Sequence, residues 1–511
     1  MDTLMAIDLG STSIKAMVFD LDGQVKASAS QPTEKKTPDG HPDWVIWDPD
    51  QIWQAVGTAA KEAMAALGDP ATLRGVAVTG MGMDGVPVDQ HGQALYPFIS
   101  WHDARTTDQA QWWKDQVGAE RTFGITGFQS WPICAAMRML WIKENEPEIL
   151  PRTHKWLLIE DYINFKLSGK MATEPTMASC MLLMDQTRKQ WSAELIEASG
   201  LDAGLLPEIL PNGTVLGPLT AQAAAATGIP VGTPVVLGGH DHICAALSAG
   251  LLAPGSVLDI IGTWECVQMA IPKPVLTPQL HQAEVCVQSH VVPGPYVAWG
   301  GAVAGESLEW FRRELGKDAL LETDNSNDAW DFLLRDLTDA KPQQAPVLYL
   351  PHLSAAGCPI GDPLSRGAFA GITGQTTRTD LLRAVIEGLN YQFLHILEVM
   401  QASLHTSCER VTVTGGVSRN TFWIQNKADM LGLPVAVLEN ADGSPLGAAL
   451  VAGLGLGLYP NAQEAIKRVQ SPAKVYQPRQ QFTAMYKKQF ESYKQLYPSL
   501  KSINHRLSAD S

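Results

Sequence analysis

Asp241 lies in the run Gly238-Gly239-His240-Asp241-His242, where an expected strand meets the apolar stretch Ile243–Leu251, which reads as a helix. A carboxylate at a helix N-terminus is favoured by the helix dipole. Beside glycines that admit close backbone approach, it can take the proton of a hydroxyl whose oxygen attacks phosphorus. The same position also suits a plain helix N-cap. A metal site from His240, Asp241 and His242 is the less favoured reading, because three consecutive residues rarely converge on one ion.

Phosphate needs donors, and two turns offer them, while a third suits a nucleoside. Asp8-Leu9-Gly10-Ser11-Thr12-Ser13 joins two strands, with backbone N–H groups and hydroxyls at the bend. Asp8, at the strand end, suits Mg²⁺ held directly or through water; an ordinary β-turn with a capping Asp is the plainer reading. Gly262-Thr263-Trp264-Glu265 follows a buried strand and places the Thr263 hydroxyl where a γ-phosphate could accept from it. Gly415-Gly416-Val417-Ser418-Arg419-Asn420 follows another strand, its glycines letting the backbone pass close to a flat adenosine with Asn420 near by. Each motif is weak singly. Together they stand in the order of a two-lobed nucleotide clamp. Gly80-Met81-Gly82-Met83-Asp84-Gly85 spells a dinucleotide fingerprint, but Val86-Pro87-Val88 after it opposes the helix that fingerprint needs. There is no P-loop motif.

The elements that must hold these turns alternate strand and helix. Leu4–Asp8, Ile14–Phe19 and Val25–Ala29 read as a meander, Asp48–Ala66 as an amphipathic helix and Val76–Thr79 as a buried strand. Ala104–Ile196 reads as mostly helical. A second block opens at Val235–Leu237 and continues with strands at Val257–Ile261, Val291–Trp299, Val411–Val413 and Pro434–Leu438, helices being expected from Asn420 and over Pro445–Leu454. Each half opens strand, Gly turn, strand, which predicts a duplicated α/β fold although no residue repeat is visible. The tail from Gln480 reads as helical, then frayed.

Composition narrows the partners. The 511 residues carry 38 Lys+Arg against 53 Asp+Glu, a formal charge of −15, which argues against nucleic acid or an anionic membrane. Hydrophobic residues make up 45%, enough for large cores. The seven cysteines are scattered with no C-x-x-C pair, which fits a reducing compartment better than a disulfide framework. No signal peptide is visible, and the longest apolar stretch, Leu446–Pro460, is broken by glycines. A cytoplasmic protein is expected.

The chain resembles the FGGY family of carbohydrate kinases, within the actin/Hsp70/hexokinase ATPase fold, over about residues 4–490. Arg138-Met139-Leu140-Trp141-Ile142-Lys143-Glu144-Asn145 fits the first family signature, with Arg138 where lysine is usual. Gly367-Ala368-Phe369-Ala370-Gly371-Ile372, continuing into Asp380–Glu387, fits the second. The resemblance implies a duplicated ribonuclease H-like fold with two lobes around a cleft: residues 1–245 carrying the sugar site and first phosphate loop, residues 246–511 the adenosine site. It implies ATP and Mg²⁺ as cofactors, with Asp8, Gly10, Ser11, Thr12 and Ser13 as the first phosphate loop and Asp8 at the metal. Gly262 and Thr263 match the second loop, Gly415, Gly416 and Asn420 the adenosine pocket, and Asp241 the catalytic base. Gly82, Met83 and Asp84 fall where family members contact the sugar, with His240 beside them. Asp103 and Arg105 match an element next to that pocket, with a structural salt bridge an equal reading.

The implied activity is transfer of the γ-phosphate of ATP to a primary hydroxyl of a small ketose or polyol, xylulose- or fuculose-like. A homodimer is expected by analogy. Three departures bear on which sugar. The Met-His pair of xylulose-phosphorylating members reads Gly82-Met83, the Arg-Glu pair of glycerol-phosphorylating members is absent, and the usual Gly-Glu-Arg-Thr-Pro reads Ala355-Ala356-Gly357-Cys358-Pro359. The alternative from another class is an actin-like nucleotide-binding scaffold or switch, which has no need of a carboxylate at a sugar pocket.

Overall fold

The computed structural model describes residues 1–321, 330, 332–335, 337, 343, 346–416, 420–438, 443–469 and 474–509. Val417, Ser418 and Arg419 of the expected adenosine turn, and the last two residues of the tail, lie outside the described residues.

Two sheets organise the chain. The first contains β1 (Thr3–Leu9), β2 (Ser13–Asp20), β3 (Val25–Pro32), β4 (Leu73–Gly80), β5 (Val215–Pro218) and β6 (Pro234–His240), in the order β5-β6-β4-β1-β2-β3. β1, β2 and β3 form an antiparallel meander, β1, β4 and β6 run parallel, and β5 closes the edge antiparallel to β6. The second contains β7 (Ser256–Ile261), β8 (Trp264–Ile271), β9 (Cys286–Ser289), β10 (Tyr296–Val303), β11 (Arg410–Thr414), β12 (Val435–Val437) and β13 (Lys474–Tyr476), in the order β9-β10-β8-β7-β11-β12-β13. β7, β8 and β10 are antiparallel, β7, β11 and β12 are parallel, and β13 is antiparallel to β12. Strand by strand, β1-β2-β3-β4-β6-β5 is repeated as β7-β8-β10-β11-β12-β13, with β9 added. This is the duplicated ribonuclease H-like fold, two sheet-based lobes, that the resemblance implies.

The sheets form because their strands are rich in β-branched and apolar residues that become buried on both faces. Met5, Ile7, Val18 and Val78 lie in one core, packed under α1 (Pro49–Leu67) through Ile52 and Val56. Asp48 caps α1, accepting from the N–H groups of Asp50 and Gln51. Val257, Ile261, Phe393 and Trp423 lie in the other core. Each such buried side chain contributes about 1.5–3 kcal/mol. A further cluster joins the lobes, where α5 (Asp241–Ser248) meets α8 (Gly443–Gly455) through Ile243, Leu247, Leu446 and Leu450. The two helices approach so closely that a Cβ on Gly447 would stand 1.9 Å from the Cys244 carbonyl oxygen, so only glycine fits there.

Two expectations shift. The strand expected at Val291–Trp299 is β10, beginning at Tyr296, because Pro293 and Pro295 cannot donate to a ladder. The stretch expected to be mostly helical also contains a short strand, Lys155–Leu158, pairing antiparallel with Gly85–Val88. That pairing gives the G-x-G-x-x-G run a strand, not a helix, to lead into. Among the described residues no helix is long and apolar enough to cross a membrane.

Candidate active site

Parallel pairing brings the chemical residues together. Leu9 at the end of β1 and His240 at the end of β6 are both in register with Gly80 at the end of β4. Gly10-Ser11, Met81-Gly82 and Asp241 therefore leave one sheet edge side by side, at the carboxyl ends of parallel strands. In the second lobe Ile260 pairs with Thr414, so Gly262-Thr263 and Gly415-Gly416 also emerge as neighbours. The repeat gives these turns a correspondence. The two phosphate turns are the same hairpin of the two copies, β1–β2 and β7–β8. The turn after β4, expected to meet the sugar, matches the turn after β11, expected to meet the adenosine.

A cleft of about 680 Å³ lies between the lobes, lined by Ser11, Gly82, Met83 and Asp241 from the first and by Trp264 and Trp299 from the second. Asp241 opens α5, with its side chain 25% exposed, enough to meet a ligand and too little to be freely solvated. The His242 N–H donates to Asp241 Oδ1 (2.6 Å), so the carboxylate is held by its own helix start. His240 is buried; Thr176 Oγ1 accepts its backbone N–H (2.8 Å), and its Nδ1 faces the Gln288 amide, 3.4 Å from Oε1 and 3.3 Å from Nε2. Burial pushes the His240 imidazole down to about 4, against the pull of Asp241, so it is neutral near pH 7. For half-exposed His242, loss of water also opposes the charge, but the Asp241 carboxylate prevails and its pKa is raised.

The first phosphate turn is tight: the Gly10 N–H donates to the Ser13 carbonyl (3.2 Å), and Thr33 Oγ1 donates to the Gly10 carbonyl (2.6 Å). Asp8 lies in β1 opposite Lys15, on the strand that feeds this turn. Its carboxylate, a hard oxygen donor next to a turn of N–H and hydroxyl groups, fits a Mg²⁺ ion. The second turn is fixed by the Gly262 N–H on the Trp264 carbonyl (2.9 Å), while Gly305 and Ala304 donate to the carbonyls of Gly262 and Thr263 (3.0 and 3.1 Å). Thr12 and Thr263 are exposed. Asn420 caps α7 (Thr421–Leu431), its side chain accepting the Trp423 N–H (3.1 Å), so it stands beside the Gly415-Gly416 turn with its oxygen engaged.

Two expected sugar contacts lie elsewhere. Asp84 is fully buried behind the cleft wall, where it accepts from Trp47 Nε1 (2.7 Å) and sits 3.5 Å from Arg138 Nη2. Burial raises its carboxyl to about 7 despite Arg138 and Trp47. Asp103 is also buried; it takes Arg105 Nε and Nη2 (2.9 and 2.6 Å) and the Val45 N–H (2.7 Å). Of its two readings the structural salt bridge is the one seen, with the Arg105 guanidinium 3.7 Å above the Trp44 ring. Both acids shape the pocket wall from behind.

Arg138, the unusual residue of the first signature, is buried on α2 (Ala135–Asn145) and donates through Nη1 to the Met83 carbonyl (3.4 Å). Met83 has φ of 80°, a strained conformation that this support helps hold. The second signature forms a short strand, Ala368–Ala370, and then a capping box between Thr377 and Asp380 that starts α6 (Arg378–Leu404).

Several groups escaped sequence reasoning. Glu174 accepts from the N–H groups of Thr176 and Met177 (2.6 and 2.7 Å), from Thr176 Oγ1 (2.7 Å) and from Asn212 Nδ2 (2.5 Å). Through Thr176 it fixes the His240 backbone next to Asp241. In the second lobe Lys427 is fully buried between Asp259 and Glu265 (2.9 Å to Glu265), tying α7 to both strands of the second phosphate hairpin. Trp299 lines the cleft, and its buried indole N–H has no hydrogen-bond partner among the described residues. Glu174 and Lys427 are scattered in sequence and carry no motif; only a surplus of isolated charges inside apolar segments hints at them.

Comparison with known proteins bears on this site. Residues 3–248 match the model of the FGGY family of carbohydrate kinases, N-terminal domain, and residues 258–456 that of the C-terminal domain. The chain is 30% identical over 482 residues to the L-fuculokinase of Escherichia coli K12, covering 93% of this chain and 97% of that protein. It is 28% identical over 519 residues to the xylulose kinase of Bacillus subtilis 168, covering 100% and 99%. Its structure superposes on the xylulose kinase of Rhodospirillum rubrum with a TM-score of 0.89 at 28% identity, over 98% of this chain and 100% of that one. The glycerol kinase of Plasmodium falciparum with ADP shares the fold, with a TM-score of 0.86 at 20% identity, over 98% of each chain.

Proposed function

This chain belongs to the FGGY family of carbohydrate kinases, ATP-dependent phosphotransferases acting on an alcohol group, and from that premise we propose that its acceptor is a primary hydroxyl of a small ketose or polyol, xylulose- or fuculose-like. The observation that carries this reading is Asp241, a partly exposed carboxylate on an interlobe cleft that is also lined by Ser11 of one phosphate turn and Trp264 of the other. The xylulose kinase and L-fuculokinase relatives support the sugar class.

Asp241 orients the attacking hydroxyl and takes its proton as the oxygen meets the γ-phosphorus. Gly10, Ser11, Thr12 and Ser13 from one hairpin and Gly262 and Thr263 from the other offer N–H and hydroxyl donors to the phosphate oxygens. Asp8 would hold Mg²⁺, which would offset phosphate charge. Gly415, Gly416 and Asn420 flank the adenosine. Gly82 and Met83 floor the sugar pocket, with His240 fixed behind Asp241. Residues 1–245 thus carry the sugar and the first phosphate loop, and residues 246–511 the nucleoside. Transfer asks for positioning and charge stabilisation, and a cleft closed by both lobes shuts out water as the competing acceptor. The working protein is read as a cytoplasmic homodimer with no nucleic acid or membrane partner.

The test is ADP release from Mg·ATP across a panel of ketoses and polyols. Sugar-dependent release strongest with a ketopentose or a deoxyketohexose supports the assignment. Release with none of these, but with an aldose or a sugar acid, would contradict it.

A further inference from the structure

His240, Asp241 and His242 each present one ligand atom, and the three atoms lie within 4.8 Å of one another. Three consecutive residues rarely converge on one ion, yet here the ligand atoms approach to this distance. His240 Nε2 is 3.3 Å from Asp241 Oδ1, and His242 Nε2 is 3.9 Å from the same oxygen. A tetrahedral ion with bonds of about 2.0–2.1 Å holds its ligand atoms roughly 3.4 Å apart. The first pair already has that spacing, the second needs to close by about half an ångström, and the two imidazole nitrogens, within 4.8 Å of each other, must also draw together by rotation of the half-exposed His242 ring. The chain turns from strand to helix between His240 and Asp241, and the two imidazole centroids stand 5.3 Å apart across this turn.

The surroundings are those of a ligand set. Gln288 Nε2 donates to the Thr176 carbonyl (2.5 Å), which fixes the amide against His240 Nδ1. A partner behind one ring nitrogen orients the other towards an ion. Exposure rises from buried His240 through Asp241 to His242 at 44%, so an ion has a way in from the cleft. The seven cysteines are all buried, and one of them, Cys266, hydrogen-bonds the His242 side chain and so stands directly behind this ring. Two imidazoles and one carboxylate favour zinc, cobalt or nickel over magnesium, which prefers oxygen.

We propose that His240, Asp241 and His242 form a three-ligand site for a borderline-soft divalent cation such as Zn²⁺, and that its occupation blocks the base and stops phosphoryl transfer. Binding displaces the proton that Asp241 helps His242 to hold, and the ion takes the carboxylate lone pair that would receive the hydroxyl proton, on the cleft that all three residues line. Blocking rests on the kinase reading of Asp241; binding of the ion does not.

The experiment uses untagged, chelator-stripped full-length protein titrated with Zn²⁺ alone, without nucleotide or sugar. Binding is followed by tryptophan fluorescence, Trp299 lying with its ring centroid 6.4 Å from that of His242. One equivalent is expected to bind, with affinity at least about tenfold weaker in each of His242→Ala and Asp241→Asn, and unchanged melting curves without metal showing that the variants are folded. Absence of binding, or equal binding by wild type and both variants, overturns the site. With the site established, Zn²⁺ is expected to abolish sugar-dependent ADP release reversibly and competitively with the sugar. Full turnover with the site occupied overturns the blocking role, while failure of any sugar to release ADP without zinc would tell against the kinase reading itself.

Discussion

His240 Nε2 stands 3.0 Å from the point where a Cβ on Gly82 would lie, and Cys180 Sγ stands 2.5 Å from it. The turn after β4 and the residue before Asp241 are thus packed so closely that position 82 accepts no side chain. That packing leaves no room for a side chain at Gly82, whereas Met83 beside it lines the cleft.

Gly82→Ala is therefore expected to push on His240 and displace Asp241. Overpacking of this kind costs about 1–3 kcal/mol. The melting temperature should fall, and KM for the sugar should rise more than KM for ATP. Unchanged sugar KM would show that the turn does not set the pocket.

The buried indole N–H of Trp299 has no partner among the described residues, and its ring lines the cleft, so a bound sugar hydroxyl is the expected acceptor. Trp299→Phe keeps an aromatic, if smaller, ring and removes the donor. Loss of one hydrogen bond of about 0.5–1.5 kcal/mol raises sugar KM about two- to tenfold, with ATP affinity unaffected. Steady-state kinetics on the best sugar decide it.

Lys427 compensates two buried acids, Asp259 and Glu265, under the second phosphate hairpin. Lys427→Met leaves both without a cation, and breaking such a buried pair costs about 3–5 kcal/mol. Chemical denaturation should show that loss, and KM for ATP should rise as the hairpin loosens. Replacing Asp259 and Glu265 by Asn and Gln in the same chain should restore much of the stability. No restoration would mean that the lysine stem, not its charge, holds the hairpin.

Stability should also depend on pH through Glu387. Burial raises its carboxyl from 4.5 to about 7, against the pull of Arg383 and Tyr486. The folded chain then holds a proton that the unfolded chain has lost between pH 4.5 and about 7. Stability falls as pH rises through that window and levels off above it. Asp84 and Glu174, each raised to about 7 chiefly by burial, act in the same direction. Glu387→Gln removes one such group, so it should be near neutral at pH 5 and gain about 1–3 kcal/mol relative to wild type at pH 8. Melting temperatures at both pH values check this; an equal effect at the two would remove Glu387 from the linkage.

Much of the fold was legible because the strands are short apolar runs punctuated by glycine. Leu4–Asp8, Val76–Thr79 and Val411–Val413 lie inside β1, β4 and β11, each a residue or more longer than read. The duplication was visible in the plan of turns although the residues do not repeat, since topology constrains where a chain bends more than what it packs with. Asp241, Ser11 and Gly82 could be picked out because each sits at a strand end beside a glycine. Asp84 and Asp103 could not be told from cleft residues, because burial behind a wall depends on Trp47 and Arg105, which fold back from elsewhere. The Glu174–Thr176–His240 chain spans distant elements whose contact the sequence does not encode locally.

The account turns on Asp241 as the proton acceptor, and Asp241→Asn tests it most directly, with ATP binding and sugar-dependent turnover measured on the same preparation. The expected result is ATP affinity close to wild type with kcat lowered about 10²- to 10⁴-fold. Turnover near the wild-type rate would contradict the account.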